Sequence, residues 1–234
     1  MSNFIMNEPL NIYIGFDAVE TVAFHTLSQS IIRHASNPIR ISPVCSQHFK
    51  KFFNRPRDEK QSNEFSFSRF LVPYLNGYSG YAIFMDCDMM MRTDIFDVFN
   101  EIKPSSAVSV VKHDYKPSQK TKYLNNIQYA YPKKNWSSFV VWDCSNEKNK
   151  KITPSFIETA TGLDLHRFTW LEEEDIGSLD IKWNWLVGDY TNPPKDVKNV
   201  HWTLGGPYFK EFKDADFAEE WFPLREEINF CKQS

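Results

Sequence analysis

Residues 79–98 read Ser-Gly-Tyr-Ala-Ile-Phe-Met-Asp-Cys-Asp-Met-Met-Met-Arg-Thr-Asp-Ile-Phe-Asp-Val. The apolar run from Tyr81 to Met85 stops abruptly at Asp86 and Asp88, two carboxylates separated by one residue. So short an apolar run, bounded by Gly80 and by acids, predicts a buried strand, central in its sheet and parallel to its neighbours. In open α/β sheets, ligands gather beyond the carboxyl ends of such strands. Two carboxylates placed there suit a hard divalent cation and the phosphates it carries. An acidic turn that only closes the strand would carry the same residues. The spacing alone does not decide, because Asp214-Ala-Asp216 repeats it in a polar, helix-like stretch near the C-terminus.

On the N-terminal side, Leu10 to Phe16 alternates as a strand and ends in Gly15-Phe16-Asp17. Phe24, Leu27 and Ile31 then share one helical face, and Ile39 to Val44 predicts a second strand. Strand, helix, strand implies a parallel sheet built by right-handed crossovers. Asp17 then falls on the same sheet edge as Asp86 and Asp88, either facing a ligand or capping the helix that follows. Residues 48–60 are basic and aromatic but contain Pro56, which fits a solvated connection better than a nucleic-acid surface. Ser62-Asn63 is a capping signal for a helix in which Phe67, Phe70, Leu71 and Tyr74 share a face. Arg69 is nearly opposite that stripe, so it is expected outside the helix's packed face, solvated or aimed at an anion.

On the C-terminal side, Ala107 to Val111 predicts a strand, followed by a long polar segment from Lys112 to Lys134 with tyrosines among lysines. Segments of that length in a compact domain are functional or disordered. Asn135-Trp136-Ser137-Ser138 opens another strand, Phe139 to Asp143. Glu172 to Asp175 are expected in the first turn of a helix, where carboxylates meet the dipole favourably. Crowded acids are also found where a site needs a carboxylate beside a reacting carbon. Trp183 to Val187 is a short strand, and His201 ends another just before Gly205-Gly206-Pro207, a turn whose backbone can approach a ligand closely. The tail from Tyr208 has the spacing of amphipathic helices docked on the core.

Composition narrows the classes. A chain of 234 residues with 20 Phe, 10 Tyr and 7 Trp is long and apolar enough for a folded α/β domain. A net charge of −3 gives no global footprint for nucleic acid. Cys45, Cys87, Cys144 and Cys231 form no Cys-x-x-Cys pair, so neither a zinc ribbon nor a disulfide framework is expected, and a reduced, cytoplasmic setting fits. The first residues lack a basic and apolar leader, and no stretch has the apolar length to span a bilayer, so no stable membrane insertion is expected.

Taken in order, these motifs resemble the GT-A-type glycosyltransferases, and within them the glycogenin- and galactosyltransferase-like family that uses nucleotide-sugar donors. Gly15-Phe16-Asp17 resembles the family's nucleotide-binding start, and Ser66-Phe-Ser-Arg69-Phe its Tyr-x-Arg-Leu segment. Asp86-Cys-Asp88 is similar to its Asp-x-Asp metal motif, Asn135-Trp-Ser-Ser to its Asn-x-Gly strand, and Glu173-Glu174-Asp175-Ile176 to its Asp-Gln-Asp-Ile. His201 matches the late metal-binding histidine, although the lysine that follows it in the family has no counterpart in register, and Lys210 is a substitute only if the loop folds back. The resemblance implies one α/β GT-A domain over residues 1–234, with a Rossmann-like, mostly parallel central sheet, flanking helices and a smaller acceptor-side sheet. Its nucleotide-binding part would span about 8–111, the acceptor and sugar part about 112–206, and C-terminal helices about 207–234. It also implies transfer of a sugar from a nucleotide-sugar, UDP-linked and with retention, to an unidentified acceptor. Asp86, Asp88 and His201 would hold Mn²⁺ or Mg²⁺. Ile14, Gly15, Phe16, Asp17, Arg69, Asp86, Asn135, Ser137, Glu173, Gly205 and Gly206 would bind the donor, with Glu174 or Asp175 beside the anomeric carbon. Glu174-Asp175 also resembles the Glu-Asp of inverting enzymes. A nucleotidyltransferase acting on sugar phosphates and an inactive nucleotide- or carbohydrate-binding module remain as alternatives.

Overall fold

In the computed structural model, which describes residues 8–58, 61, 63–114, 121–122, 126–127 and 133–229, the Tyr81–Met85 run is the strand on which the sheet is centred. The strands are β1 (Leu10–Gly15), β2 (Ile39–Val44), β3 (Tyr81–Met85), β4 (Met89–Met91), β5 (Val108–Val111), β6 (Thr121–Lys122), β7 (Asn126–Ile127), β8 (Phe139–Asp143), β9 (Ile176–Leu179), β10 (Trp185–Leu186) and β11 (Asn199–His201). The helices are α1 (Thr21–His34), α2 (Val72–Leu75), α3 (Pro154–Thr159), α4 (Gly162–His166) and α5 (Ala218–Asn229). The main sheet has the order β2-β1-β3-β8-β5-β9, and a smaller one the order β10-β11-β4. β6 and β7 pair with each other inside the long polar segment. Residues 115–120, 123–125 and 128–132 of that segment are outside the described residues, as are Ser62 and Cys231.

The strands form where apolar side chains fill both faces. Leu10, Ile12 and Ile14 of β1, and Ala82, Ile83, Phe84 and Met85 of β3, are fully buried. Each side chain of that size contributes about 1.5–3 kcal/mol on burial. α1 makes the crossover from β1 to β2, with Leu27 and Ile31 buried against the sheet and Phe24 partly so. β3 is parallel to β1 but antiparallel to β8, so the expectation of parallel neighbours holds on one side only. The chain leaves β5 and enters β8 at the same sheet edge, and a return without crossover produces an antiparallel pair.

Two local expectations are corrected. The segment around Arg69 is a 3₁₀ turn, Ser68–Leu71, running into the single turn of α2, rather than one helix starting at residue 62. Phe67, Phe70 and Leu71 are buried as expected, but so is Arg69, at 5% exposure. The side opposite the Phe70 stripe packs against the end of β3, with the guanidinium 5.3 Å and 5.1 Å from the ring centroids of Phe65 and Phe84. The acids at 172–175 do not begin an α-helix either. They form a 3₁₀ turn, Glu173–Asp175, that feeds β9. Gly177 lets β9 lie close to its neighbours: a Cβ there would be 2.7 Å from Ser109 Oγ and 2.8 Å from Ser106 Oγ.

A second apolar cluster includes Met90, Val200, Trp202, Trp221 and Leu224, so α5 covers the small sheet as well as contacting α1. The helical tail expected from Tyr208 is the 3₁₀ turn Lys210–Phe212 followed by α5.

Candidate active site

Asp86 and Asp88 stand where the two sheets meet. Asp86 N–H donates to the Ser138 carbonyl (2.9 Å), extending the β3–β8 pairing by one residue. The Asp88 carbonyl accepts from Trp202 N–H (2.9 Å), extending the pairing of β4 with β11. One aspartate therefore hangs from the large sheet and the other from the small one, with Cys87 buried between them. Burial, and then the surrounding Glu20, Asp88, Asp86 and Asp17 carboxylates, push the Cys87 thiol well above its ordinary range.

His201, the last residue of β11, completes a cluster: one ligand atom from each of Asp86, Asp88 and His201 lies within 4.8 Å of the others. His201 Nε2 is 3.2 Å from Asp88 Oδ1, and His201 Nδ1 is 2.8 Å from Asn184 Oδ1. Two carboxylates and an imidazole nitrogen converging in a nearly dry corner make a donor set that a divalent cation fits.

Arg69 Nη1 is 2.7 Å from Asp86 Oδ1 and donates to the Ser137 carbonyl at 3.0 Å. This arginine therefore links an expected metal ligand to the turn that opens β8. That turn has Asn135 in the left-handed region (φ 62°), with its carbonyl accepting from Ser138 Oγ (2.7 Å) and Asn184 Nδ2 (3.3 Å). Ser137 Oγ is 2.7 Å from His166 Nδ1 on α4. Desolvation, then the Arg69 and Arg55 guanidiniums, lower His166 to about 3, so its ring is neutral at ordinary pH.

Asp17 lies at the end of β1, on the Asp86 edge as expected, but its carboxylate serves the backbone. Oδ1 caps Val19 N–H (3.0 Å) and Oδ2 accepts from Glu64 N–H (3.1 Å). The Ile14 side chain is in the core, and Phe16 is half-buried edge-on to Phe24. Gly15 is required by packing, since a Cβ there would be 2.3 Å from the Phe65 ring. Gly205 has φ 145°, and a Cβ on Gly206 would be 2.2 Å from the Tyr208 ring, so this backbone turn also depends on glycine. Lys210 is exposed.

The acidic trio is placed differently. Glu173 pairs with Lys133 Nζ (2.9 Å), an ammonium that also lies 5.1 Å from the Trp136 ring centroid, and this pairing holds the Glu173 carboxyl low. Glu174 is exposed, and Asp175 accepts from Lys148 Nζ at 2.7 Å and 2.6 Å. In register, Ile176 is opposite Val108 and Leu179 opposite Val111, so Asp175 is at the edge where β3 begins. Asp86 is at the edge where β3 ends. The register thus sets Asp175 at the edge opposite Asp86, while Glu173, in the same turn, reaches Lys133 beside Trp136 of the turn that opens β8.

Several neighbours of the site carry no sequence motif. Glu20 is buried and accepts from the Tyr208 hydroxyl (2.6 Å). His113, one residue beyond Lys112, is 2.9 Å from the Tyr190 hydroxyl, and burial, then His201, lowers it to about 3. Asn184 is fully buried between Trp183 and Trp185. The expected Trp183–Val187 strand is shortened to β10, with Asn184 closing the 3₁₀ turn Ile181–Asn184, and a polar amide within that apolar run was the one signal available for it.

No family model matches the chain. Over 228 residues it is 41% identical to Protein CDI of Arabidopsis thaliana, covering 95% of this chain and 88% of the plant protein. The chain belongs to the Protein CDI family. Among solved structures, this CDI-family chain is similar to the bifunctional glycosyltransferase WbbM (TM-score 0.65, 13% identity, 96% of this chain covered). It is also similar to the glycosyltransferase GlyE of Streptococcus pneumoniae TIGR4 (0.63, 12% identity, 94% covered). The galactosyltransferase LgtC, solved with donor and acceptor sugar analogs, aligns at 0.60 with 11% identity, covering 96% of this chain and 98% of that one. The chain spans 51% of WbbM and 60% of GlyE. Identities this low establish a shared fold, and that fold is the GT-A type of glycosyltransferases.

Proposed function

We propose that the protein is a metal-dependent glycosyltransferase that moves a sugar from a nucleotide-sugar, a UDP-sugar in the first instance, to an acceptor. The observation that carries this is the convergence of Asp86, Asp88 and His201 at the junction of the two sheets, with Arg69 on Asp86, in a chain with the GT-A fold. Asp86, Asp88 and His201 would hold Mn²⁺ or Mg²⁺, which when bound offsets the negative charge on a departing diphosphate. The backbone from Ile14 to Asp17 would seat the nucleoside, and Gly205-Gly206 would let the chain approach the phosphates. Arg69 would orient a phosphate or sugar hydroxyl through its remaining donors. Asn135, Ser137 and Glu173 would line the sugar, Ser137 being oriented by neutral His166.

The position of Glu174 and Asp175 bears on stereochemistry. The far-edge register of Asp175 and its pairing with Lys148 speak against its serving as the base of an inverting displacement. A retaining course, in which the departing phosphate takes the acceptor's proton, needs no such base and is the course we propose. The nucleotide-binding part would cover about 8–111, the sugar and acceptor part about 112–206 and the covering helices about 207–234. Among the described residues no helix is long and apolar enough to cross a membrane. The four scattered cysteines support placing the activity in the cytoplasm.

The test is nucleoside diphosphate release across a panel of UDP- and GDP-sugars, with Mn²⁺ and with chelator. Release from one donor that requires the metal, and its loss by at least about 100-fold in Asp86→Ala or Asp88→Ala of intact fold, is the expected result. Wild-type turnover in either variant contradicts the assignment. Thermal stabilisation by a nucleoside diphosphate with Mn²⁺, without release from any donor, would point instead to a binding module.

A further inference from the structure

We infer that Asn184 is a positioning residue that fixes the ring of His201 in its Nδ1–H tautomer and turns the Nε2 lone pair toward Asp88. The orientation follows from an acceptor that has no alternative. The Asn135 carbonyl can only accept, so Ser138 Oγ–H, 2.7 Å away, donates to it. The lone pair left on Ser138 Oγ then accepts from an N–H, and the group 2.8 Å away is the Asn184 amide. The same amide nitrogen is 3.3 Å from the Asn135 carbonyl, where a flipped amide would set oxygen against oxygen. With Nδ2 committed to Ser138 and Asn135, Oδ1 faces His201 Nδ1 at 2.8 Å and requires a hydrogen there. In the neutral ring the lone pair is then on Nε2, which lies 3.2 Å from Asp88 Oδ1.

In that neutral tautomer Nε2 and the Asp88 carboxylate face each other as two acceptors, an arrangement that a cation between them satisfies. The Asn184 amide thus presents the imidazole as a ligand before any ion arrives, in the manner of outer-shell groups that set the tautomer of metal-binding histidines. It also ties that ligand to the turn of Asn135 and Ser138, which holds Asp86 through the Ser138 carbonyl. Asn184 is fully buried and Ser138 is 2% exposed, so water does not compete for these bonds. The tautomer stands on geometry alone; its consequence for metal binding rests on the proposed function.

The experiment is a long-range ¹H–¹⁵N correlation of the histidine rings, assigned with His201→Asn, together with Mn²⁺ titration followed by electron paramagnetic resonance without nucleotide. Wild-type protein without metal is expected to show His201 as Nδ1–H. An Nε2–H or mixed His201 overturns the inference with no variant needed. Asn184→Leu is expected to release the tautomer and to weaken Mn²⁺ binding by about 10–100-fold. Asn184→Asp keeps an acceptor for Nδ1 while setting an oxygen against the Asn135 carbonyl, and is expected to keep Nδ1–H and to lose less affinity than Asn184→Leu. A folded Asn184→Leu with tautomer and affinity both unchanged overturns the inference, as does Asn184→Asp losing the tautomer. Nδ1–H in a wild-type protein that binds no Mn²⁺ would support the orientation of His201 and overturn the proposed function.

Discussion

Arg69 shows how one side chain can hold a site together. Its guanidinium is buried, pairs with Asp86 and satisfies the Ser137 carbonyl, so its removal leaves a carboxylate and a carbonyl without their donor. Breaking a buried pair from one side costs about 3–5 kcal/mol. Arg69→Ala should accordingly lower the urea midpoint by an amount in that range, and Arg69→Lys should recover part of the stability while leaving donor affinity weakened. An unchanged midpoint in Arg69→Ala would mean the pair is not formed. The helical-wheel placement of Arg69 was correct in angle, and of its two expected settings the structure shows the one aimed at an anion, the Asp86 carboxylate, in a buried corner instead of at the surface. Periodicity tells which side of a turn a residue is on, and here both sides are packed. His113 and His166 make a second prediction at this scale. Both are lowered from 6.5 to about 3 in the fold, so between those values the unfolded chain binds protons that the folded one refuses. Their contribution is complete above pH 6.5 and is lost as pH falls toward 3. Urea unfolding across that interval should show steadily decreasing stability, and a stability independent of pH there would contradict the neutral, desolvated rings.

Among the elements, β1 and β3 were legible because their apolar runs are short, dense and closed by Gly and Asp. Their carboxyl ends set the edge on which Asp17 and Asp86 both appear. What periodicity did not reveal was direction. β8 reads as a buried strand, but nothing in Phe139–Asp143 says that it runs against β3. The turn at 172–175 was similarly opaque: four acids in a row indicate a helix start or a site, and only the β5–β9 register shows which edge they occupy. Two measurements test this level. Gly15→Ala forces a Cβ into the Phe65 ring and should destabilise by about 1–3 kcal/mol, with a parallel loss of nucleotide affinity as the end of β1 shifts. Asp175→Asn, on the far edge, should leave turnover within a few-fold of wild type. A loss comparable to that of Asp86→Ala would return Asp175 to the reacting centre.

For the whole molecule, the decisive feature is that two sheets share a corner. Asp86 belongs by hydrogen bonding to the large sheet, and Asp88 and His201 to the small one, so the cluster exists only when both are docked. The second core under α5, with Trp202, Trp221 and Leu224, holds the small sheet in place and makes the C-terminal helix part of the site's support. The sequence order of the motifs anticipated this convergence, whereas Asn184, Glu20 and Tyr208 escaped notice because a buried amide, acid or phenol has no pattern of its own. The most direct test of the account is anomalous diffraction at the manganese edge from crystals grown with Mn²⁺ and UDP. The account predicts one strong peak bounded by Asp86, Asp88 and His201, with the diphosphate beside it. A peak elsewhere, or none in crystals that contain ordered UDP, would contradict it.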